Sequence, residues 1–318
     1  MTASIREKQL HGSAVEVLSR GEDCTTYRLA DESGAVVMTS YSVFPGIDLI
    51  YNDVHIRSSA VNRADINSIL EIDHCREGRI ECEFQGKFLY LSPGDLSIHR
   101  KLDNVSFFPL SHYHGITIMI DLERAPCCLA CLMNGIDVCP RTLAEKFCCG
   151  TNCFLMRARP CIEHIFSELY SVPDCIRRGY FKVKILELML FLNGIDPLPE
   201  QHIILSKAQV ELAKSTCRFL SDHLDAKVTI PQIAKHLHVS ETQIKSCFKG
   251  VYGVPVYAYA RSEKMRSAAL MLKTTDSTVL EVAGKYGYDN GSKFAKAFRD
   301  VMGISPNEYR TRERGSLI

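Results

Sequence analysis

Two hydrophobic rhythms divide this 318-residue chain. From about residue 15 to residue 121, apolar positions come in short runs that are in large part β-branched or aromatic: residues 36–41, 66–72, 79–84, 88–91 and 116–120. Such side chains suit a pleated surface, so each run predicts a strand. Pro45-Gly46, Glu77-Gly78, Gln85-Gly86 and Pro93-Gly94-Asp95 punctuate the runs as turns. Many short strands with frequent turns predict a small β-barrel or jelly roll. From Arg141 the spacing becomes helical. Pro160-Cys161-Ile162-Glu163-His164-Ile165-Phe166 starts one helix, with proline in the first turn, where its missing amide loses no partner. Phe181, Ile185, Leu188, Met189 and Leu192 mark the apolar face of another, a face that serves either as core or as a dimer contact. Asn193-Gly194 ends it and Asp196-Pro197-Leu198-Pro199-Glu200 makes a stiff polar stop. A new helix begins near Ser206, with Val210, Ala213, Cys217 and Leu220 on one side. The expected fold class is α+β in two domains: residues 1–195, a linker at 196–206, and an all-α domain at 207–318.

The last third then repeats itself. Ser240-Glu241-Thr242-Gln243-Ile244-Lys245-Ser246-Cys247-Phe248-Lys249 is echoed 50 residues later by Asn290-Gly291-Ser292-Lys293-Phe294-Ala295-Lys296-Ala297-Phe298-Arg299. Gly253 and Tyr259 have their counterparts in Gly303 and Tyr309. Upstream, Gln232-Ile233-Ala234 matches Glu281-Val282-Ala283 at a spacing of 49, so the second copy carries one extra turn residue. A short apolar helix, a turn and a second helix with basic polar positions is the pattern of a helix-turn-helix. In the first copy Ile230, Ile233, Ala234 and Leu237 form the buried face, Ser240 with Gln243 fits a capping box, and Ile244, Cys247 and Phe248 point inward. Thr242, Gln243, Lys245, Ser246 and Lys249 are left to solvent or DNA. In the second copy Asn290 or Asp289 caps, and Phe294, Ala297 and Phe298 face the core. Gly291, Ser292, Lys293, Ala295 and Lys296 are exposed, with Arg299 just behind. Pro255 opens a helix between the copies that carries Arg261, Lys264 and Arg266 and sets the spacing of the two readers, about one turn of DNA or roughly 34 Å.

Charge sharpens this picture. The net charge of +1 conceals an asymmetry: residues 206–318 hold 18 Lys and Arg against 11 Asp and Glu, a surplus of +7, and the rest of the chain carries −6. A basic final third suits a polyanion, and an acidic remainder should stay off it. Hydrophobic content of 46% and charged content of 24% fit an ordinary globular protein. The first 13 residues hold no apolar stretch and no run approaches the ~20 apolar residues of a membrane span, so the expectation is cytoplasmic, with no membrane partner. Fourteen cysteines without a secretory leader predict reduced thiols rather than a disulfide framework. Nine of them crowd into residues 127–175.

Residues 228–310 resemble the DNA-binding domain of AraC/XylS-type transcription regulators. The resemblance rests on Gly287-Tyr288-Asp289-Asn290-Gly291-Ser292-Lys293-Phe294-Ala295-Lys296-Ala297-Phe298-Arg299 followed by Gly303-Ile304-Ser305-Pro306-Asn307-Glu308-Tyr309-Arg310. It implies base contacts from Thr242, Lys245 and Ser246 and from Ser292, Lys293 and Lys296, with Gln243, Lys249 and Arg299 on the same faces. Ser246 and Lys296 stand where relatives often have arginine, and neither makes the bidentate fork with guanine. The resemblance further implies double-stranded DNA and RNA polymerase as partners, an unidentified small-molecule effector, a homodimer, an activator, and no enzymatic activity or cofactor.

Residues 15–121 resemble, more loosely, cupin-type sensing domains through Glu71-Ile72-Asp73-His74-Cys75-Arg76-Glu77-Gly78-Arg79 and Leu91-Ser92-Pro93-Gly94-Asp95-Leu96. This implies an effector cavity inside a small barrel. His112-x-His114 with His99 raises a metalloenzyme as an alternative, since imidazoles at i and i+2 on a strand point the same way. Enzymatic cupins place a carboxylate a few residues later, where this chain has Ile118 and Met119, and their Pro-Gly-Asp segment follows rather than precedes the pair. A second alternative is a metal- or thiol-redox sensor built on the cysteine cluster of residues 127–153, with Cys128, Cys131, Cys149 and Cys153 as candidate ligands.

Overall fold

The computed structural model describes residues 3–31, 34–60, 68–84, 86–100, 105–127, 129, 138–148, 153–197 and 204–315. They form two compact units, Met1–Ile204 and Leu205–Ile318.

The first unit starts with helix α1 (Ile5–His11), whose N-terminus is closed by a capping box between Ser4 and Glu7. Eleven strands follow before the next helix: β1 (Glu16–Arg20), β2 (Cys24–Asp31), β3 (Gly34–Phe44), β4 (Ile47–His55), β5 (Ser58–Ala60), β6 (Ile69–Gly78), β7 (Ile80–Phe84), β8 (Lys87–Leu91), β9 (Leu96–His99), β10 (Val105–Phe107) and β11 (Tyr113–Asp121). Helix α2 (Pro140–Cys148), strand β12 (Cys153–Met156), helix α3 (Pro160–Leu169) and helix α4 (Arg177–Gly194) complete the unit. All the sequence-derived strand runs fall on or overlap these strands, and Pro160 occupies the first turn of α3.

The closed barrel expected from the strand pattern is not what forms, and the cupin-like assignment of this unit falls with it. Eight strands make one sheet in the order β1-β2-β3-β4-β11-β6-β9-β12. β1 pairs with β2 and β12 with β9, and among the described residues no ladder joins β1 to β12. The physical reason is a two-sided core. Alternation sends Leu49, Ile72, Ile116 and Ile118 to one face, where Phe166 of α3 and Phe181, Ile185 and Leu188 of α4 cover them. Ile50, Val54, Cys75, Tyr113 and Met119 pack on the other face with Tyr27 and Met38. Both faces of the open sheet are thus buried, one under helices, without the first and last strands pairing. The apolar side of α4, left open between core and dimer contact, is thereby spent inside the unit: Phe181, Ile185, Leu188, Met189 and Leu192 are all buried.

The second unit is helical: α5 (Lys207–Asp222), α6 (Ile230–Leu237), α7 (Glu241–Tyr252), α8 (Val256–Thr274), α9 (Val279–Lys285), α10 (Gly291–Met302) and α11 (Pro306–Gly315). α5, α6 and α7 pack together, α9, α10 and α11 gather around the later part of α8, and α8 touches both groups. Val210, Ala213, Cys217, Ile233, Ile244 and Phe248 fill the first group. Met265, Leu272, Val282, Ala283, Phe294 and Phe298 fill the second.

Candidate nucleic-acid interface

The two helix pairs are built by local chemistry that the sequence spells out. Thr229, Ser240 and Thr278 each form a capping box with the glutamine or glutamate three residues on, so amides at the starts of α6, α7 and α9 find partners within the chain. Asn290 Oδ1 accepts from the amides of Ser292 at 2.8 Å and Lys293 at 3.2 Å, which starts α10. Gly253 and Gly303 end α7 and α10 in the left-handed region, at φ of 76° and 80°, where an L side chain would be strained. From cap to cap the first copy runs from Thr229 to Ser240 and the second from Thr278 to Asn290, one residue longer.

The buried faces of α7 and α10 are Ile244, Cys247 and Phe248, and Phe294, Ala297 and Phe298. Thr242, Gln243, Lys245, Ser246 and Lys249 on α7 are exposed, as are Ser292, Lys293, Lys296 and Arg299 on α10, whereas Ala295 is half-buried. These exposed side chains are not equally available. The Gln243 carboxamide oxygen accepts from the Ser240 amide at 3.0 Å and is committed to the cap. Lys245 Nζ lies 3.2 Å from Glu241 Oε2, one turn back. Lys249, Lys293 and Lys296 have no carboxylate at ion-pair distance among the described residues.

Of the linker-helix cations, Lys264 turns inward, whereas Arg266 is exposed. Lys264 Nζ donates to the Ala226 carbonyl at 2.8 Å and reaches the Tyr286 carbonyl at 3.4 Å, so one ammonium touches the loop before α6 and the C-terminal cap of α9. Arg261 pairs with Asp300 of α10, and Arg266 with Glu263 at 2.8 Å. Sequence reading placed Lys264 only on a helix; nothing in its spacing signals the two carbonyls.

Two capped helix pairs, each showing a basic face and joined by a helix that packs on both, define a DNA-binding protein of the helix-turn-helix class. A family model described as a helix-turn-helix domain matches residues 233–312. The HTH-type transcriptional activator AarP of Providencia stuartii is 31% identical over 97 residues, which is 30% of this chain and 72% of that protein. The arabinose operon regulatory protein of Escherichia coli is 29% identical over 98 residues, 30% of this chain and 34% of its own. The uncharacterized HTH-type transcriptional regulator YtdP of Bacillus subtilis is 27% identical over 200 residues, covering 61% of this chain and 26% of that one. The chain thus spans about a quarter of YtdP and a third of the arabinose regulator. It belongs to the AraC/XylS family of transcription regulators, which are non-enzymatic DNA-binding proteins.

In the first unit only some of the sequence-derived metal and thiol candidates fall among the described residues. Cys128, Cys131 and Cys149 lie outside the described residues. Cys153 sits in β12 directly across from His99, and burial, with the Asp73 carboxylate nearby, pushes its thiol up to about 12. It is therefore protonated near neutral pH rather than a ready thiolate. His112 precedes β11, with Nδ1 3.1 Å from the Leu110 carbonyl. His99 is fully buried against Asp73 at 2.7 Å, and Asp73 also accepts from the Thr117 hydroxyl at 2.5 Å. His114 groups with Asp53 and His55, and its ring also lies 6.5 Å from that of His112.

Beside β6 lies a cleft of about 680 Å³ lined by His74, Arg76, Gly94, Arg159, Glu163 and Tyr170 among others. His74 is 1% exposed and stacks on Phe166 at 4.2 Å, yet neither ring nitrogen has a hydrogen bond; the Tyr170 hydroxyl is likewise buried without one. Burial lowers His74 to about 4, which keeps it neutral. The Arg76 guanidinium lies 4.4 Å from the centre of the Tyr170 ring.

Proposed function

We propose that this chain binds double-stranded DNA in a sequence-specific manner through α7 and α10, and that it acts as a homodimeric transcription activator whose first unit receives a small-molecule effector. The observation that carries the DNA reading is the pair of exposed faces, Thr242, Lys245, Ser246 and Lys249 on one helix and Ser292, Lys293, Lys296 and Arg299 on the other, each backed by a buried aromatic core. Lys293 and Lys296 sit within the first two turns of α10, the part of a recognition helix that meets base edges. Ser246 and Lys296 in place of arginine favour single hydrogen bonds over the guanine fork, and so a relaxed preference at those two positions. The activator reading is supported by the likeness to AarP, a transcriptional activator, and RNA polymerase as a partner is part of that same reading. The effector reading is supported by the cleft at His74, where buried donors and acceptors stand ready for a ligand beside Arg76.

Selection from random double-stranded DNA with the full chain, followed by anisotropy titration of the enriched site, tests the DNA reading. Lys293→Ala and Lys296→Ala should each weaken binding by about 1–3 kcal/mol. If no sequence enriches, or if both variants bind as tightly as the parent, α10 is not the reader.

A further inference from the structure

The register of three strands gathers a metal-binding constellation that neither the DNA interface nor the cleft uses. Asp53 and His55 lie at i and i+2 on β4 and share one face. His114 of β11 is paired directly across from Asp53, and on its other side from Glu77 of β6. Asp53 Oδ1 sits 2.8 Å from His55 Nε2 and 2.9 Å from His114 Nε2, and donor atoms from the three residues all lie within 4.8 Å of one another. The two imidazoles meet edge to face at 5.3 Å. His114 Nδ1 faces Glu77 Oε2 at 3.4 Å.

His114 Nε2 is buried and makes no hydrogen bond, although Asp53 Oδ1 lies 2.9 Å away. A cation between the Nε2 atoms and Asp53 would use that unpartnered nitrogen while Nδ1 faces Glu77, the carboxylate–histidine–metal arrangement that orients a ligand. The distances suit such an ion. Ligands on a tetrahedral zinc with bonds of about 2.0–2.1 Å lie about 3.3 Å apart, so the two gaps to Asp53 need open only by about half an ångström, and the imidazole nitrogens stand within 4.8 Å of each other. Two imidazoles with a carboxylate favour zinc-like transition metals over magnesium or calcium.

We propose that Asp53, His55 and His114 bind one divalent transition-metal ion of the zinc type, with Glu77 as a positioning residue for His114. The three ligands leave a coordination position open to solvent, and the ion clips β4 to β11 at their solvent-facing ends.

Zinc alone is the probe. Calorimetric titration of the full, chelator-treated chain under reducing conditions should show one equivalent more than the His55→Ala and His114→Ala variants show. Glu77→Gln should retain that equivalent with about tenfold or more weaker affinity. Zinc should raise the melting temperature of the parent and not of the two histidine variants. Cobalt(II) at this equivalent should lack the intense near-ultraviolet charge-transfer band of thiolate ligation, which separates it from cysteine-bound metal. His55 is exposed, so its alanine variant tests the site with the fold intact, as circular dichroism will verify. Equal stoichiometry and affinity in parent and His55→Ala, or no zinc bound by the parent, overturns the proposal.

Discussion

Replacing Lys264 by methionine isolates the contribution of a single ammonium to the second unit. The aliphatic stem is kept, so packing along α8 changes little. What is lost is a charged hydrogen bond of 2.8 Å to Ala226 O and a longer one of 3.4 Å to Tyr286 O. Net hydrogen bonds to charged groups contribute about 1.5–3 kcal/mol, and a cation at the C-terminal end of α9 adds a few tenths more. Burial lowers the Lys264 pKa, with Asp225 acting in the opposite sense, so part of that gain offsets desolvation. The lower half of the range, about 1.5–2 kcal/mol, is therefore expected. For a unit of this size that corresponds to a fall of roughly 6–12 °C in its melting temperature. The chain contains no tryptophan, which makes calorimetry on the full protein a better assay than fluorescence. The transition assigned to the helical unit should move and the other should stay. A melt of that unit within about 2 °C of the parent would refute the reasoning that Lys264 ties the two helix pairs together.

Other expectations are narrower. Phe298 is fully buried between Phe294 at 5.8 Å and Tyr309 at 5.6 Å, so Phe298→Ala should destabilise by about 3–5 kcal/mol in urea unfolding; a loss under 1 kcal/mol would contradict that packing. Burial alone would raise the Glu7 carboxyl, but the Ser4 amide, Tyr27 hydroxyl and Arg20 guanidinium together hold it down at about 2. A carboxylate depressed on folding contributes stability that is complete above its unfolded pKa, here 4.5, and disappears as pH falls from there toward 2. Glu7→Gln should thus remove roughly 1–2 kcal/mol at neutral pH and flatten the stability profile between those limits, as denaturant titrations at stepped pH will show.

The helical half was legible because its information is local. A capping box spans four residues, a buried helix face repeats within about eight, and a left-handed glycine closes its own helix, so Ser240, Gln243, Phe248 and Gly253 carry their roles in sequence order. The open sheet was not legible, because alternation within each strand is the same whether the last strand meets the first or not. Closure depends on the partners of β1 and β12, which are far apart in the chain. The metal constellation hides for the same reason. Asp53 and His55 are two apart, but His114 and Glu77 join them only through the register of β11 with β4 and β6. His112 and His114 do lie with their rings 6.5 Å apart, but β11 begins at Tyr113, so only His114 of the two is on the strand.

An unclosed sheet also has borders that another copy could extend, and this chain guards them unevenly. β12 is four residues long, too short to template much pairing. β1 is broken between Val17 and Ser19, where Leu18 drops out of register, and it is flanked by the charged Glu16 and Arg20. Behind it runs β2, eight residues in unbroken register with β3. A chain trimmed past α1 and β1 would bare that regular strand as its new border, turning a guarded edge into a site for aggregation. Helix α1 and strand β1 therefore serve the solubility of the first unit as well as its fold.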